Sequence, residues 1–221
     1  LKGMEISALG NTSKDRIHPS YGVFSPVRGE YIQLVADAPL PSTELAFDIG
    51  LGTGVLSAVL AKRGVKRVIG TDLDDRALSC AKENIKRLGL QGKVELSKAN
   101  LFPEGTASLI VCNPPWLPAR ASAPIERAIY DENSAMLKGF LAGLAAHLVP
   151  QGEGWLILSD LAEHLGLRTR AELQEWISAG GLKVIGKLDT KAEHKKVQDE
   201  SDPLHAARAA EVTSLWRLGL A

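Results

Sequence analysis

The sequence lacks several features that would assign a protein to a broad class at once. No run approaches the roughly 18 consecutive apolar residues of a membrane-spanning helix, and no charged-then-apolar signal pattern opens the chain. Only two cysteines occur, Cys80 and Cys112, so we expect no disulfide framework and predict a cytoplasmic location. Lys and Arg together number 26, as do Asp and Glu, which removes the electrostatic argument for a dedicated nucleic-acid binder.

Signatures of metal and nucleophilic sites are missing as well. The five histidines are scattered without ligand spacing, so the sequence predicts no metal site. Neither Ser nor Cys stands in a nucleophile-elbow pattern. The 221 residues suffice for one domain with a full core, or for one domain and a small appendage. The first residue is Leu1 rather than Met, which leaves open whether a recognition domain precedes it.

From residue 45 onward, short β-like runs alternate with helical patterns. Strands are predicted at 45–49, 67–72, 93–99, 107–113, 155–159, 182–188 and 211–218, and helices at 54–63, 74–88, 134–148 and 169–179. This alternation predicts an α/β fold with a mainly parallel sheet covered on both faces. No helix separates the last two strands, so we expect them to pair as an antiparallel hairpin. Residues 1–20 are polar and aperiodic and are predicted to be a loosely ordered lead-in to a single domain over 21–221.

The loop after the first predicted strand is rich in glycine. In "FDIGLGTGVL", Gly50, Gly52 and Gly54 let the backbone turn tightly and approach a ligand closely. The spacing is G-x-G-x-G, and the third glycine of the dinucleotide fingerprint G-x-G-x-x-G would fall on Val55. Asp48 lies just ahead of the loop, where a carboxylate suits a cationic ligand better than a pyrophosphate.

Polar residues also follow the next three strands. Asp72 ends the second strand, where a carboxylate can accept two hydrogen bonds from a ribose diol. Asn100 follows the third strand and could reach an adenine amino group, although on its own it is typical of a turn. The fourth strand ends in "NPPW", which places an amide, two rigid prolines and a large ring at a predicted surface. Because ligands bind beyond the carboxyl ends of such strands, we expect these loops to form one site.

Taken together, "DIGLGTG", "TDLDDRAL", "ANLF" and "NPPW" resemble the Rossmann-like S-adenosylmethionine-dependent methyltransferases. More narrowly, they resemble the small-domain N-methyltransferases, which include protein-glutamine methyltransferases acting on release factors and enzymes acting on amino groups of adenine or guanine. The resemblance runs from about Tyr21 to the C-terminus and includes "GVFSPVRGEYIQLV" (22–35), which is similar to a segment that borders the cofactor in that family.

This chain departs from the family pattern in three places. The family usually has Asp at the position of Asn100. At the position of Trp116, the family more commonly has Tyr or Phe. The helical recognition domain that often precedes the fold is absent from this sequence, so the acceptor cannot be carried over.

The resemblance implies S-adenosylmethionine as cofactor and S-adenosylhomocysteine as product. Asn113 and the carbonyl of Pro114 would each accept one N–H of an acceptor NH2, so that its lone pair faces the sulfonium methyl. Trp116 would stack on the planar acceptor group, and Pro115 would stiffen the loop. The implied cofactor-binding residues are Pro26, Asp48, Gly50, Gly52, Gly54, Asp72, Leu73, Asn100 and Leu101.

The preferred acceptor is a protein glutamine amide, because zero net charge weakens the case for nucleic acid. The alternative is an RNA or DNA base, methylated at adenine N6 or guanine N2. A catalytically silent domain that docks protein or RNA is disfavoured because "DIGLGTG" and "NPPW" are both intact, and a dinucleotide-dependent oxidoreductase is disfavoured by Val55 and Asp48. No membrane partner is expected. The charged stretch 191–200 is predicted to be a solvated loop on the ligand side.

Overall fold

A computed structural model of the chain describes residues 3–27, 29–118, 130–191 and 205–221. Within these ranges, nine strands form a small two-stranded sheet and a seven-stranded main sheet. The strands are β1 (Met4–Glu5), β2 (Arg16–Ile17), β3 (Leu45–Ile49), β4 (Arg67–Asp72), β5 (Val94–Lys98), β6 (Ala107–Cys112), β7 (Leu148–Ser159), β8 (Leu182–Lys191) and β9 (Val212–Leu220).

The helices are α1 (Gly29–Asp37), α2 (Val55–Lys62), α3 (Asp75–Arg87), α4 (Ala135–His147), α5 (Leu161–His164), α6 (Arg170–Ala179) and α7 (His205–Ala210). Short 3-10 turns span Ser7–Leu9 and Glu132–Ser134. None of the helices in the described ranges is both long enough and apolar enough to cross a bilayer.

The main sheet has the order β5-β4-β3-β6-β7-β9-β8. The five strands from β5 to β7 pair in parallel, whereas β9 is antiparallel to both of its neighbours, β7 and β8. The predicted α/β fold with an antiparallel terminal strand pair is therefore confirmed, but the expectation that no helix separates the last two strands is wrong, because the short helix α7 lies between β8 and β9. From β3 the chain proceeds to β4 and β5 on one side, and it then returns to β6 on the other side of β3. This reversal between β3 and β6 is the place where open α/β sheets bind ligands.

Local sequence sets the helix ends. Asp74 caps α3 because its side chain accepts a hydrogen bond from the backbone N–H of Arg76 at 2.9 Å. Gly89, with φ 68°, follows the end of the same helix in the left-handed conformation that glycine adopts without steric cost. Thr169 and Glu172 form a capping box at the start of α6. The predicted helix ranges 74–88 and 169–179 agree with α3 and α6 to within one residue at each end.

The core lies on the two faces of the main sheet. The first cluster includes Ile32, Val59, Val111 and Trp155, and the second includes Phe47, Ile110, Cys112, Phe140 and Ile177. Successive residues of β6 contribute alternately to the two clusters, because side chains along a strand point to opposite faces. The strand is buried from Leu109 to Cys112, which is why it reads as a continuous apolar run.

The prediction of a loosely ordered lead-in over residues 1–20 is wrong for the part that the structure describes. β1 and β2 pair antiparallel, and Ile6, Leu9 and Ile17 are buried in the first cluster. The apolar residues are few and lie in strands of only two residues, which are too short to show a period. The domain therefore includes the lead-in.

Two other elements differ from the prediction. The segment 22–35 contains a helix, α1, which buries Tyr31, Ile32, Leu34 and Val35. β7 begins at Leu148 rather than at residue 155, because a register shift between Ala107 and Leu109 of β6 and the left-handed Gln151 (φ 64°) carry the strand through "PQGEG".

The burial of Ile17 predicts a measurable contribution of the lead-in to stability. Ile17 is fully buried, so Ile17→Ala should lower the free energy of unfolding by about 2–5 kcal/mol in urea denaturation. Tyr21→Ala is the control, because the Tyr21 side chain is fully exposed and its loss should cost no more than about 0.5 kcal/mol. Equal unfolding midpoints for the two variants would show that the lead-in does not hold the domain together.

Candidate functional site

Four parallel strands bring most of the predicted site residues together at the carboxyl-terminal end of the sheet. Ile49 at the end of β3 pairs with Thr71 of β4 on one side and with Cys112 of β6 on the other. Asp72 at the end of β4 pairs in turn with Lys98 of β5. Since neighbouring strands lie about 4.8 Å apart, the loops that follow emerge side by side. We call this end of the sheet the strand-end site. Its loops are, in spatial order, residues 99–101, 72–74, 50–54 and 113–116.

The glycine loop, residues 50–54, turns by means of left-handed backbone. Gly50, Gly52 and Gly54 have φ values of 71°, 55° and 80°, which side chains other than glycine rarely adopt. A Cβ on Gly50 would lie 2.6 Å from the Met136 side chain of α4, so this glycine is also required for space. A Cβ on Gly52 would meet no atom within 4 Å, so the loop is open on that side.

Asp72 holds the glycine loop while remaining partly accessible. One carboxylate oxygen accepts the N–H of Gly52 at 3.1 Å, and the other accepts the N–H of Asp74 at 2.9 Å. Burial raises the pKa of Asp72, while the two backbone hydrogen bonds act in the opposite direction. Each carboxylate oxygen retains a further lone pair, so the group can still accept hydrogen bonds from a diol. Beside it, Leu73 is 59% exposed and presents an apolar surface to solvent.

Asp48 lies beneath the glycine loop rather than on its surface. The carboxylate is buried, and its Oδ2 accepts hydrogen bonds from the Ser57 N–H at 2.9 Å and the Ser57 hydroxyl at 2.6 Å. The pKa of Asp48 is raised to about 6, mainly by burial and to a smaller extent by the neighbouring Asp72, against the two hydrogen bonds from Ser57. Asp48 thus shapes the loop through the first turn of α2, and its predicted direct contact with a cationic ligand stays a prediction.

The residues after β5 are placed differently from one another. The Asn100 side chain is exposed at the edge of the strand-end site. Leu101 has a left-handed backbone (φ 69°), and its carbonyl accepts the Thr71 hydroxyl at 2.5 Å. Its side chain packs against the second cluster beside Gly139 of α4. The bond from Thr71 therefore ties the loop after β5 to β4.

Pro26 belongs to a stretch that packs on α3, which we call segment 18–27. Pro26 itself is buried, and Val23 forms a small apolar cluster with Ala77 and Cys80 of α3. Tyr21 of the same segment is fully exposed. The segment thus runs from the lead-in over the first half of α3 to the start of α1.

The loop after β6, residues 113–116, is built around one hydrogen bond; we call it the acceptor loop after the role that the family resemblance implies for it. The Trp116 indole N–H donates to the Asn113 side-chain oxygen at 2.9 Å, which fixes the orientation of that amide. Pro114 is buried, and Pro115 is partly buried. The second lone pair of the Asn113 oxygen remains able to accept a hydrogen bond.

Trp116 is not the exposed ring that the sequence suggested. It is partly buried and packs against both core clusters, and its ring meets Tyr31 of α1 edge-on, with centroids 6.5 Å apart. The acceptor loop leaves the innermost part of the sheet, next to β3, and a large ring there can fill the space between the two faces. The position of the ring favours a role in shaping the loop over stacking on a ligand.

Asp131 is a site residue that sequence reasoning missed. Its buried carboxylate accepts the N–H groups of Met136 at 2.9 Å and Leu137 at 3.1 Å at the start of α4, while its own N–H donates to the Leu117 carbonyl at 2.8 Å. It therefore connects the chain leaving the acceptor loop to α4. The sequence does not reveal that Asp131 caps α4, because the intervening residues Asn133 and Ser134 have left-handed backbones (φ 57° and 54°) that separate it from the helix.

One sequence prediction falls almost entirely outside the described residues. Of the charged stretch 191–200, the structure describes Lys191 alone, and residues 119–129, which follow the acceptor loop, are likewise not described. Within the ranges that are described, no three His, Cys, Asp or Glu side chains converge as ligands for a metal ion.

The residues present at the strand-end site suit a nucleoside that carries a cationic chain. The Asp72 carboxylate suits a ribose diol, and the exposed Leu73 suits the face of a base. The open side of Gly52 admits a ligand close to the backbone. Asp48 places negative charge beneath the loop when it is ionised. These are the requirements of S-adenosylmethionine.

Comparison by sequence finds related methyltransferases. A sequence model of the family described as "Ribosomal protein L11 methyltransferase (PrmA)" matches residues 33–115. A ribosomal protein L11 methyltransferase of Vibrio parahaemolyticus is 31% identical over 143 residues, 64% of this chain and 46% of that protein. The protein of the same name from Pelotomaculum thermopropionicum is 29% identical over 134 residues, 60% of this chain and 41% of that protein. The match thus spans less than half the length of either relative.

Comparison by structure finds the same fold. The ribosomal protein L11 methylase of Lactobacillus delbrueckii subsp. bulgaricus has a TM-score of 0.60 at 18% identity, covering 92% of this chain and 84% of that one. A methyltransferase of Thiobacillus denitrificans in complex with S-adenosyl-L-homocysteine has a TM-score of 0.58 at 15% identity, covering 91% and 95%. The comparisons confirm the broad resemblance to S-adenosylmethionine-dependent methyltransferases and their Rossmann-like fold. They do not bear on the narrower resemblance carried by "NPPW".

The raised pKa of Asp48 predicts how stability depends on pH. Its folded pKa of about 6 exceeds the ordinary value of 3.8, so the native state holds a proton that the unfolded chain releases between these values. The contribution of Asp48 to the free energy of unfolding is therefore largest below pH 3.8, and it is lost as the pH rises through about 6. Relative to Asp48→Asn, the wild type should lose about 3 kcal/mol at most between pH 4 and pH 7.

Urea denaturation of both proteins across that pH range measures this difference. The asparagine variant is the matched control, because it has nearly the same shape and cannot ionise. Parallel curves for the two proteins would contradict the raised pKa.

Proposed function

We propose that this chain is an S-adenosylmethionine-dependent N-methyltransferase that acts on a planar-group nitrogen, with a protein glutamine amide as the preferred acceptor. One observation carries the proposal. The glycine loop, Asp72 and the acceptor loop emerge from neighbouring strands at the point where the strand order reverses. A cofactor bound along the glycine loop and Asp72 would extend towards the acceptor loop.

Each part of the cofactor has residues of suitable chemistry. Asp72 would hold the ribose diol, while Leu73 and Asn100 would contact the adenine, and the glycine loop would lie against the methionine portion. Asn100 carries no charge, so recognition of the adenine amino group would rest on its side-chain carbonyl. When bound, S-adenosylmethionine supplies a methyl group on a sulfonium centre.

The acceptor loop would orient the nitrogen. An amide nitrogen, or the amino group of a base, is a poor nucleophile, because its lone pair is delocalised into a carbonyl or a ring. The free lone pair of the Asn113 oxygen and the Pro114 carbonyl would each accept one N–H, which turns the nitrogen lone pair towards the methyl group. Positioning and electrostatics then account for catalysis, without a covalent intermediate.

Trp116 would act through Asn113 rather than on the acceptor directly. Its indole N–H holds the Asn113 oxygen at 2.9 Å, and its ring is anchored by both core clusters and by Tyr31. The loop is thus rigid before an acceptor arrives, and Pro115 adds to this rigidity.

A protein acceptor is preferred over nucleic acid for two reasons. The formal net charge of the chain is zero, which offers no general attraction for phosphates. The sequence relatives described above are named for a ribosomal protein as their substrate. The alternative remains methylation of an RNA or DNA base at adenine N6 or guanine N2, because an amide and a base amino group present the same planar NH2 to the acceptor loop.

Variants at the two ends of the site should separate cofactor binding from transfer. Asn113→Ala should reduce the rate of methyl transfer by about 100-fold or more, because an oriented hydrogen bond to the reacting group is lost. Its affinity for S-adenosylhomocysteine should stay within about 2-fold of wild type. Asp72→Ala should instead weaken that affinity by about 10-fold or more, measured by calorimetry. Equal loss of cofactor affinity in both variants would contradict the acceptor role of Asn113.

The acceptor class can be read from label transfer. The wild type and Asn113→Ala would be incubated with methyl-labelled S-adenosylmethionine and a cell extract lacking the endogenous enzyme, and the products would then be divided between protease and nuclease. The proposal expects label that depends on Asn113, is released by protease and maps to glutamine. Label released by nuclease would favour the base acceptor, and label mapped to another side chain would contradict the glutamine preference.

Trp116→Phe tests whether the indole N–H matters. Phenylalanine keeps an aromatic ring but cannot donate to Asn113, so the initial rate of transfer should fall by about 10-fold, with S-adenosylhomocysteine affinity unchanged. Tyr31→Phe is the control, because it keeps the edge-on ring contact with Trp116. A wild-type rate for Trp116→Phe would show that the hydrogen bond does not position Asn113.

A further inference from the structure

Asn84 is a fully buried residue in the C-terminal half of α3. Its side-chain amide forms hydrogen bonds with two irregular segments and with α3 itself. Its NH2 group donates to the Thr53 carbonyl at 3.0 Å and to the His18 carbonyl at 3.2 Å. Its oxygen accepts the His18 N–H at 2.9 Å and an N–H of Arg87 at 3.2 Å. The NH2 group also lies 3.7 Å from the Cys80 sulfur. Both hydrogens of the amide and both lone pairs of its oxygen are therefore engaged, and this donor and acceptor pattern fixes which way the amide faces.

These bonds join the glycine loop of the strand-end site to segment 18–27. Thr53 belongs to the glycine loop, and His18 begins segment 18–27. Neither Thr53 nor His18 lies in a strand or a helix. The Asn84 side chain therefore supplies their backbone groups with the hydrogen bonds that regular secondary structure would otherwise provide. The same region of α3 approaches both the glycine loop and segment 18–27 closely: a Cβ on Gly54 would lie 3.2 Å from Ala81, and the Ser20 N–H donates to the Cys80 sulfur at 3.3 Å.

We infer that Asn84 is a positioning residue for the cofactor: its amide fixes the glycine loop and segment 18–27 relative to each other before the cofactor binds. This inference rests on the proposed function. Loss of the amide would remove this partner from the carbonyl of the buried Thr53 and from both backbone groups of the partly buried His18, and the two segments would separate to reach water. A cofactor would then have to order both of them on binding, which lowers affinity.

Asn84→Leu is the direct test, because leucine has nearly the same size and makes no hydrogen bond. Hydrogen exchange of the ligand-free protein should quicken in residues 18–27 and 50–54, while β6 and α6 exchange as in wild type. The affinity for S-adenosylhomocysteine, measured by calorimetry, should fall by about 10-fold or more. Neither measurement requires an acceptor.

Ile177→Ala is the matched control. Ile177 is buried in α6 on the second cluster, so its truncation should lower the thermal midpoint while leaving exchange of the two segments and affinity within about 2-fold of wild type. If Asn84→Leu does not fold, Asn84→Ser, whose hydroxyl keeps one hydrogen bond, should show the same effects at smaller size.

The outcomes separate the two proposals. An Asn84 variant with wild-type exchange in both segments and wild-type affinity would overturn the role of Asn84, and so would an equal loss of affinity in Ile177→Ala. Wild-type protein that fails to bind S-adenosylhomocysteine would contradict the proposed function itself. Exchange of residues 18–27 and 50–54 would then still decide whether Asn84 holds the two segments together.

Discussion

The site depends on the parallel pairing of β3 with β4 on one side and β6 on the other. Because these three strands end level with one another, three loops that are far apart in sequence begin within a few ångströms. The helices on each face then act mainly as supports. α2 and α3 hold the loops from one face, and α4 closes over the glycine loop from the other through Met136.

Buried polar side chains give the irregular parts of the site their shape. Asp48 takes both hydrogen bonds from Ser57, Asp131 accepts two N–H groups at the start of α4, and Asn84 joins the glycine loop to segment 18–27. Each of these groups would be costly to bury alone, and each makes at least one hydrogen bond to the backbone. Loops that have no ladder partner thereby gain fixed hydrogen-bond partners, which favours binding of a ligand without prior rearrangement.

Most of the fold could be predicted from sequence because its strands are buried on both faces and its helices carry their own caps. β3 and β4 have the predicted bounds, and Asp74 and Thr169 mark helix starts as expected. The lead-in could not be predicted, since its buried residues lie in strands of two residues without a period. Of the site, the sequence indicates which loops meet, because strand order and parallel pairing determine this. It cannot indicate that Trp116 packs against the core or that Asn84 and Asp131 face loops, because those contacts depend on how helices pack on the sheet.

The insertion of β9 between β7 and β8 has a consequence for the assembly of the molecule. β7 and β8 are both complete in the chain before β9 is synthesised, yet the hydrogen bonds that connect them to one sheet exist only through β9. Until residues 212–220 leave the ribosome, β7 presents an open edge and β8 has no neighbour in the sheet. Such edges pair readily with other chains, so the nascent protein passes through a stage at which it is prone to aggregate and can be bound by chaperones.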